Sequence, residues 1–158
     1  MRGNNYYKKR LIAPDERFGS TSVSKFINYI MERGKKSIAK KLVYDSLDEA
    51  AKVLKKEPLD VFNAVLSAIA PSVEVRSRRI GGANYQVPIE VREPRRTALA
   101  MRWIIAAAKS KKGMPMHKRL ATEFQDILSG TGAAIKKRED THRMAEANRA
   151  FAHFAKMR

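Results

Sequence analysis

The chain has 158 residues, 44% of them apolar, and carries 33 Lys and Arg against 16 Asp and Glu, a formal charge of +17. That apolar share buries enough surface to offset the ordering entropy of one domain, which excludes disorder throughout. The lack of cysteine excludes a disulfide framework, a thiolate nucleophile and a Cys-based zinc site.

Residues 1–19 have no hydrophobic period and read as a basic N-terminal arm carrying Lys8, Lys9 and Arg10, with Pro14 and Gly19 as punctuation. They lack the apolar core of a secretory signal, and no run approaches the ~18 apolar residues of a membrane span, so a soluble cytoplasmic protein is expected. Residues 20–158 read as a single helical domain. Val23, Phe26, Ile27, Ile30 and Met31 form the stripe of a first amphipathic helix expected to stop at Gly34. Ile38, Leu42, Val43, Leu47, Ala50, Ala51 and Leu54 place a second. Pro58 opens a third, with Val61, Phe62, Val65, Leu66 and Ile69 inward and Pro71 ending it.

The segment "VEVRSRRIGGANYQVPIEV", about residues 73–91, reads as a β-hairpin. A two-residue Gly81-Gly82 loop sets Arg78 opposite Tyr85 and Arg76 opposite Val87, leaving both faces chemically mixed. A three-residue loop, Ile80 to Gly82, pairs Val73 with Ile89, Val75 with Val87 and Ser77 with Tyr85, giving one apolar and one polar face. The three-residue loop is preferred on that ground. Helical periodicity then returns. Leu99, Trp103, Ala106 and Ala107 mark a fourth helix after "REPRR", and Pro115 opens a fifth that buries Met116, Leu120, Ala121, Phe124, Ile127 and Leu128. A sixth runs from about Gly132 into the 150s, packing Ala147, Phe151 and Phe154. The expected fold is mainly α: about six helices with one protruding hairpin between the third and fourth, and no internal repeat.

The charge is spread evenly, as +3, +3, +3, +4 and +4 over residues 1–19, 20–70, 71–96, 97–129 and 130–158. An evenly basic globule fits a polyanion touched at many points better than a membrane surface, where Lys and Arg gather beside one apolar helix. The candidate anion ligands fall in clusters: Lys8 to Arg10; Lys35 and Lys36; Arg76, Arg78 and Arg79; Arg92, Arg95 and Arg96; Lys109, Lys111 and Lys112; and Lys136, Lys137 and Arg138. Lys35, Lys36, Arg95 and Arg96 sit near helix N-termini, where the macrodipole disfavours cations and unpaired N–H groups favour phosphate. Asn84, Tyr85 and Gln86 offer hydrogen bonds or stacking beside the hairpin tip. His117, His142 and His153 are far apart without metal spacing, and Glu139 reads as an i,i+4 partner of Arg143, so no catalytic group, metal or cofactor is expected. No helix-turn-helix, zinc finger or basic zipper is present, which favours folded RNA over a DNA groove.

Four stretches, "KFINYIMERGKKSIA" from Lys25, "EVRSRRIGGANYQVPIEV" from Glu74, "RRTALAMRWIIAAA" from Arg95 and "KKREDTHRMAEANRAFAHF" from Lys136, resemble the small-subunit ribosomal protein seven family, in its bacterial form. The resemblance runs from Ala13 to Phe154. It implies a structural, non-enzymatic protein that binds the 3′ major (head) domain of 16S rRNA, nucleates head assembly and lies near exit-site tRNA and the mRNA path. Neighbouring head and platform proteins are its further implied partners, with the chain a monomer within the subunit. Matching the family's RNA-contacting regions adds Arg102, Arg143 and Arg149 to the cationic clusters above. The hairpin tip, comprising Arg78, Arg79, Gly81, Gly82, Asn84 and Tyr85, is the part implied to approach the exit site.

Overall fold

The computed structural model describes residues 11–155, and the predicted contacts of Lys8, Lys9 and Arg10 lie outside them. The described order is α1 (Thr21–Ile30), α2 (Lys36–Leu54), α3 (Pro58–Ile69), β1 (Val73–Ile80), β2 (Ala83–Glu90), α4 (Glu93–Ser110), α5 (Met116–Leu128), α6 (Ala133–Ala147) and a short 3₁₀ helix (Arg149–Ala155). The two strands make one antiparallel ribbon between α3 and α4, as the hydrophobic pattern predicts.

The core follows from amphipathic stripes. Phe26 of α1, Phe62 of α3 and Phe124 of α5 are fully buried, with ring centroids 5.3 Å apart for Phe26–Phe62 and 6.2 Å for Phe26–Phe124. Val43 and Leu47 of α2, Met101 and Ile104 of α4, and Ile135 of α6 close the cluster. Each large side chain so buried contributes about 1.5–3 kcal/mol relative to exposure. Helix starts are set by Ser20, whose side chain caps α1, and by Pro58 in the first turn of α3.

Several boundaries and faces differ from expectation. The first helix ends at Ile30, and Arg33 and Gly34 both take positive φ in the tight link to α2. Ile38 is 60% exposed, so the inward stripe of α2 begins at Ala39. On α4 the buried face is Ala100, Met101, Ile104, Ile105, Ala107 and Ala108; Leu99 and Trp103 are half-buried and Ala106 is exposed. That helix has apolar side chains nearly all round, so periodicity fixes its existence better than its rotation. The sixth helix stops at Ala147, and the chain tightens into the 3₁₀ segment after Asn148. Ala147 is exposed, whereas Phe151 and Phe154 are half-buried as part of that segment.

The hairpin register is the main correction. Arg78 pairs with Tyr85, Arg76 with Val87 and Ile80 with Ala83, so the loop is the two residues Gly81 and Gly82, with φ of 57° and 90°. Two successive positive φ values define the mirror-image turn whose twist suits a ribbon. Turn chemistry therefore overrides the preference for chemically clean faces. The mixed face is stable because its arginines have partners: Arg76 meets Glu74, and Arg78 donates to the Phe154 carbonyl at 2.7 Å. Val87 is buried, and Val73 and Val75 are half-buried on the opposite face from Val87 and Ile89.

Candidate nucleic-acid interface

The ribbon leans on the body at both ends. At its base the Ser72 N–H donates to His142 Nε2 at 3.3 Å, and the Val91 N–H to the Ser72 carbonyl at 3.0 Å. Toward its tip Tyr85 packs against Phe151 and Phe154 of the 3₁₀ helix, with centroids 5.3 and 5.1 Å away. The tip side chains thus split by strand alternation. Arg78 and Tyr85 turn toward the C-terminal segment, whereas Arg79 and Asn84, paired across the ribbon, are exposed on the other face.

At the hairpin base, buried Glu74 receives two arginines from different elements. Arg76 Nε donates to Oε1 at 2.7 Å, and Arg95, in the first turn of α4, lies 2.8 Å from Oε2 through Nη2. Burial pushes the Glu74 carboxyl up, but hydrogen bonds from Arg95 and then Arg76 outweigh it and hold the group below the ordinary value of 4.5. Next to them, Arg96 pairs with Glu93 at 3.0 Å and donates to the Pro71 carbonyl at 3.1 Å, and Arg92 stands exposed at the α4 N-cap. The macrodipole conflict predicted for Arg95 and Arg96 is eased by carboxylates of the protein itself.

The remaining predicted cations fall into two groups. Lys109 pairs with Glu32 at 2.6 Å, Arg143 with Asp140, and Arg149 with Glu146 at 3.2 Å, all at the surface. Arg143 therefore takes Asp140, three residues away, in place of the expected Glu139. Arg138 turns inward to the Ala68 carbonyl, and Arg102 lies over the Tyr29 ring at 5.6 Å. Lys111 is largely covered, bridging Glu123 at 3.1 Å and Asp126 at 2.5 Å. In contrast, the exposed side chains of Lys35, Lys36, Arg79, Arg92, Lys112, Lys136 and Lys137 have no ion-pair or hydrogen-bond partner among the described residues. They project from the N-cap and first residue of α2, the ribbon, the α4 N-cap, the α4–α5 link and α6.

Sequence reasoning missed Glu74 and the clamp at residues 15–18. Asp15 is buried, its Oδ2 accepting the N–H groups of Arg17 and Phe18, and its Oδ1 the Tyr44 hydroxyl at 2.8 Å. Arg17 then makes a two-pronged contact with Asp48 of α2 at 2.9 and 2.8 Å. The Asp at the start of "DERFG" was a legible turn signal. Among the described residues no group of three or more His, Cys, Asp or Glu could hold a metal, and no helix is long and apolar enough to cross a membrane.

The surface defines a class: a helical scaffold whose unpaired cations face outward on several elements. Residues 1–149 match the family model described as ribosomal protein S7p/S5e. The chain is 57% identical to the Thermotoga maritima "Small ribosomal subunit protein uS7" over 147 residues, which is 93% of this chain and 95% of the relative. The protein of the same name from Chloroflexus aurantiacus is 53% identical over 156 residues, 99% and 98% of the two chains. That from Desulfotalea psychrophila is 55% identical over 148 residues, covering 93% and 94%. The chain belongs to the ribosomal protein S7p/S5e family and is a structural, non-enzymatic component of the ribosome.

Proposed function

We propose that the chain binds the 3′ major domain of 16S rRNA in the head of the small ribosomal subunit and nucleates assembly of that domain. Its ribbon lies near the exit-site tRNA and the mRNA path, and neighbouring head proteins complete its surroundings. One observation carries this reading. After the internal ion pairs are counted, Lys35, Lys36, Arg79, Arg92, Lys112, Lys136 and Lys137 still point outward from separate elements. Cations fixed in several directions match phosphates that converge in a folded RNA, whereas groove reading of duplex DNA concentrates its ligands on one inserted element. The names of the relatives, all small-subunit proteins, support the same reading.

The test is competition between folded 16S head-domain RNA and duplex DNA of equal charge for the purified chain at physiological salt. The RNA should win by at least about tenfold, a modest demand beside the ~1,000-fold or more that separates specific from non-specific nucleic-acid binding. Equal affinity would overturn the proposal.

A further inference from the structure

From the hairpin base we infer that Arg76 and Arg95 act as one site for one RNA phosphodiester, and that Glu74 is the positioning residue that makes them one. The inference deepens the RNA-binding reading and rests on it. Arg76 belongs to β1 and Arg95 to α4, so nothing in the backbone obliges their guanidinium groups to meet. Like charges this close repel, and both would spread into solvent without a shared anion. The Glu74 side chain, only 10% exposed, supplies that anion. It takes Arg76 through Nε at 2.7 Å and Nη2 at 2.5 Å, and Arg95 through Nε at 2.8 Å and Nη2 at 2.8 Å.

The geometry leaves both groups half available. A guanidinium has five donors, and Glu74 occupies the Nε–Nη2 edge of each arginine, leaving the Nη1 end free of it. The side chains of Arg76 and Arg95 are 51% and 46% exposed. Two planar forks locked on their inner edges and open on their outer ends are preorganised for a phosphodiester, which accepts several charge-assisted hydrogen bonds. The pair with its carboxylate has a net charge of +1, the charge that one phosphate neutralises.

This assignment reverses the sign expected from charge alone. Glu74→Gln raises the net charge, so a simple electrostatic account has it bind any polyanion more tightly. If Glu74 positions the arginines, the same change weakens binding of folded head-domain RNA by about tenfold, the worth of one charge-assisted hydrogen bond, and leaves duplex DNA unchanged or tighter. A second measurement does not depend on how Glu74→Gln folds. Counterion release counts phosphates rather than arginines, at about 0.9 per phosphate. Arg76→Ala with Arg95→Ala together should therefore flatten the log–log salt dependence by about 0.9 if they share one phosphate, and by about 1.8 if they serve two.

The unaltered chain is measured first: equal binding to RNA and DNA is the failure of the RNA reading itself. With RNA preference established, weaker RNA binding by Glu74→Gln while duplex DNA binding holds or tightens, together with a single-phosphate slope change, supports the shared site. Parallel tightening of RNA and DNA shows Glu74 to be only a competing charge. Parallel weakening with a lowered melting temperature shows a structural role alone, and a two-phosphate slope change shows independent arginines. Each of these three results overturns the inference.

Discussion

Lys111 stands in a basic run, "KSKK", and its sequence gives it the look of a phosphate ligand; replacing it should instead unfold the protein earlier and leave RNA binding intact. It follows the last turn of α4 and reaches Glu123, which is fully buried on α5. Glu123 Oε1 also accepts the Ala134 N–H, in the first turn of α6, at 3.1 Å. One carboxylate thus ties three helices and sits at a helix N-terminus, where negative charge is favoured. Its Oε2 is met by Lys111 at 3.1 Å as an ion pair without a well-directed hydrogen bond. Gly132 passes so close that a Cβ there would stand 3.0 Å from Glu123 Oε1, so the site cannot relax toward α6. Burial lowers the Lys111 pKa, but the hydrogen bond to Asp126 and the negative charge of Glu123 outweigh it and leave the ammonium more firmly charged than a free lysine.

Lys111→Ala leaves the Glu123 charge buried and unpaired. Removing one partner of a buried pair costs about 3–5 kcal/mol, and because Lys111 remains 22% exposed, water entry puts this case at the lower end. At about 2–4 °C per kcal/mol for a chain of this size, a loss of about 3 kcal/mol lowers the melting temperature by roughly 6–12 °C. Lys112→Ala, next door and exposed, should change stability by less than about 0.5 kcal/mol. Adding Glu123→Gln to Lys111→Met should recover part of the loss, since the amide still accepts the Ala134 N–H and no charge is stranded. Calorimetric melting gives the first readout and the salt slope of RNA binding at low temperature the second. A Lys111→Ala chain that melts within about 2 °C of the unaltered protein, with a slope lowered by about 0.9, would refute the argument by making Lys111 a phosphate ligand.

Two further outcomes follow from the ribbon. The folded Glu74 carboxyl is held below 4.5, so the unfolded chain binds its proton first as pH falls. Its stabilisation is therefore full above that value and is lost as pH drops through the folded one. The gap in melting temperature between the unaltered chain and Glu74→Gln should narrow as the pH is taken from about 6 to about 3, and a constant gap would show that the carboxylate charge contributes nothing. Tyr85→Ala removes the ring held between Phe151 and Phe154. At about 0.5–1.5 kcal/mol per aromatic pair, amide exchange in β2 should speed up while the global melt changes little. Loss of the cooperative melt would show that the tip belongs to the core.

What could be read from the sequence follows from how locally each feature is determined. The stripe of Val23, Phe26, Ile27 and Ile30 and the pair Pro58 and Pro71 fix helices within a few residues of themselves, and both are found as expected. The register of the hairpin depends on whether turn or face dominates, and one deciding fact, the Phe154 carbonyl that receives Arg78, lies on a distant segment that a strand pattern does not display. The break after Ala147 has no Gly or Pro to announce it, only Asn148 at the C-cap, a weaker stop signal. Glu123 was legible in principle: it lies three residues after Leu120 and four before Ile127, on the face those two bury, and a carboxylate there demands a partner.

Adjacent cations therefore have different fates, decided by the period of the element that carries them. On the ribbon, with period two, Arg78 turns to the Phe154 carbonyl and Arg79 to solvent. On α6 each residue advances by about 100°, so Lys136 and Lys137 face outward while Arg138 reaches the Ala68 carbonyl. The formal charge of +17 thus overcounts the groups available to phosphate. Cations that meet buried carboxylates or carbonyls should report in melting temperature, and those that meet solvent in the salt dependence of RNA binding. Arg76 and Arg95 are where the two roles meet, because the carboxylate that fixes them to the fold leaves their outer ends open to a polyanion.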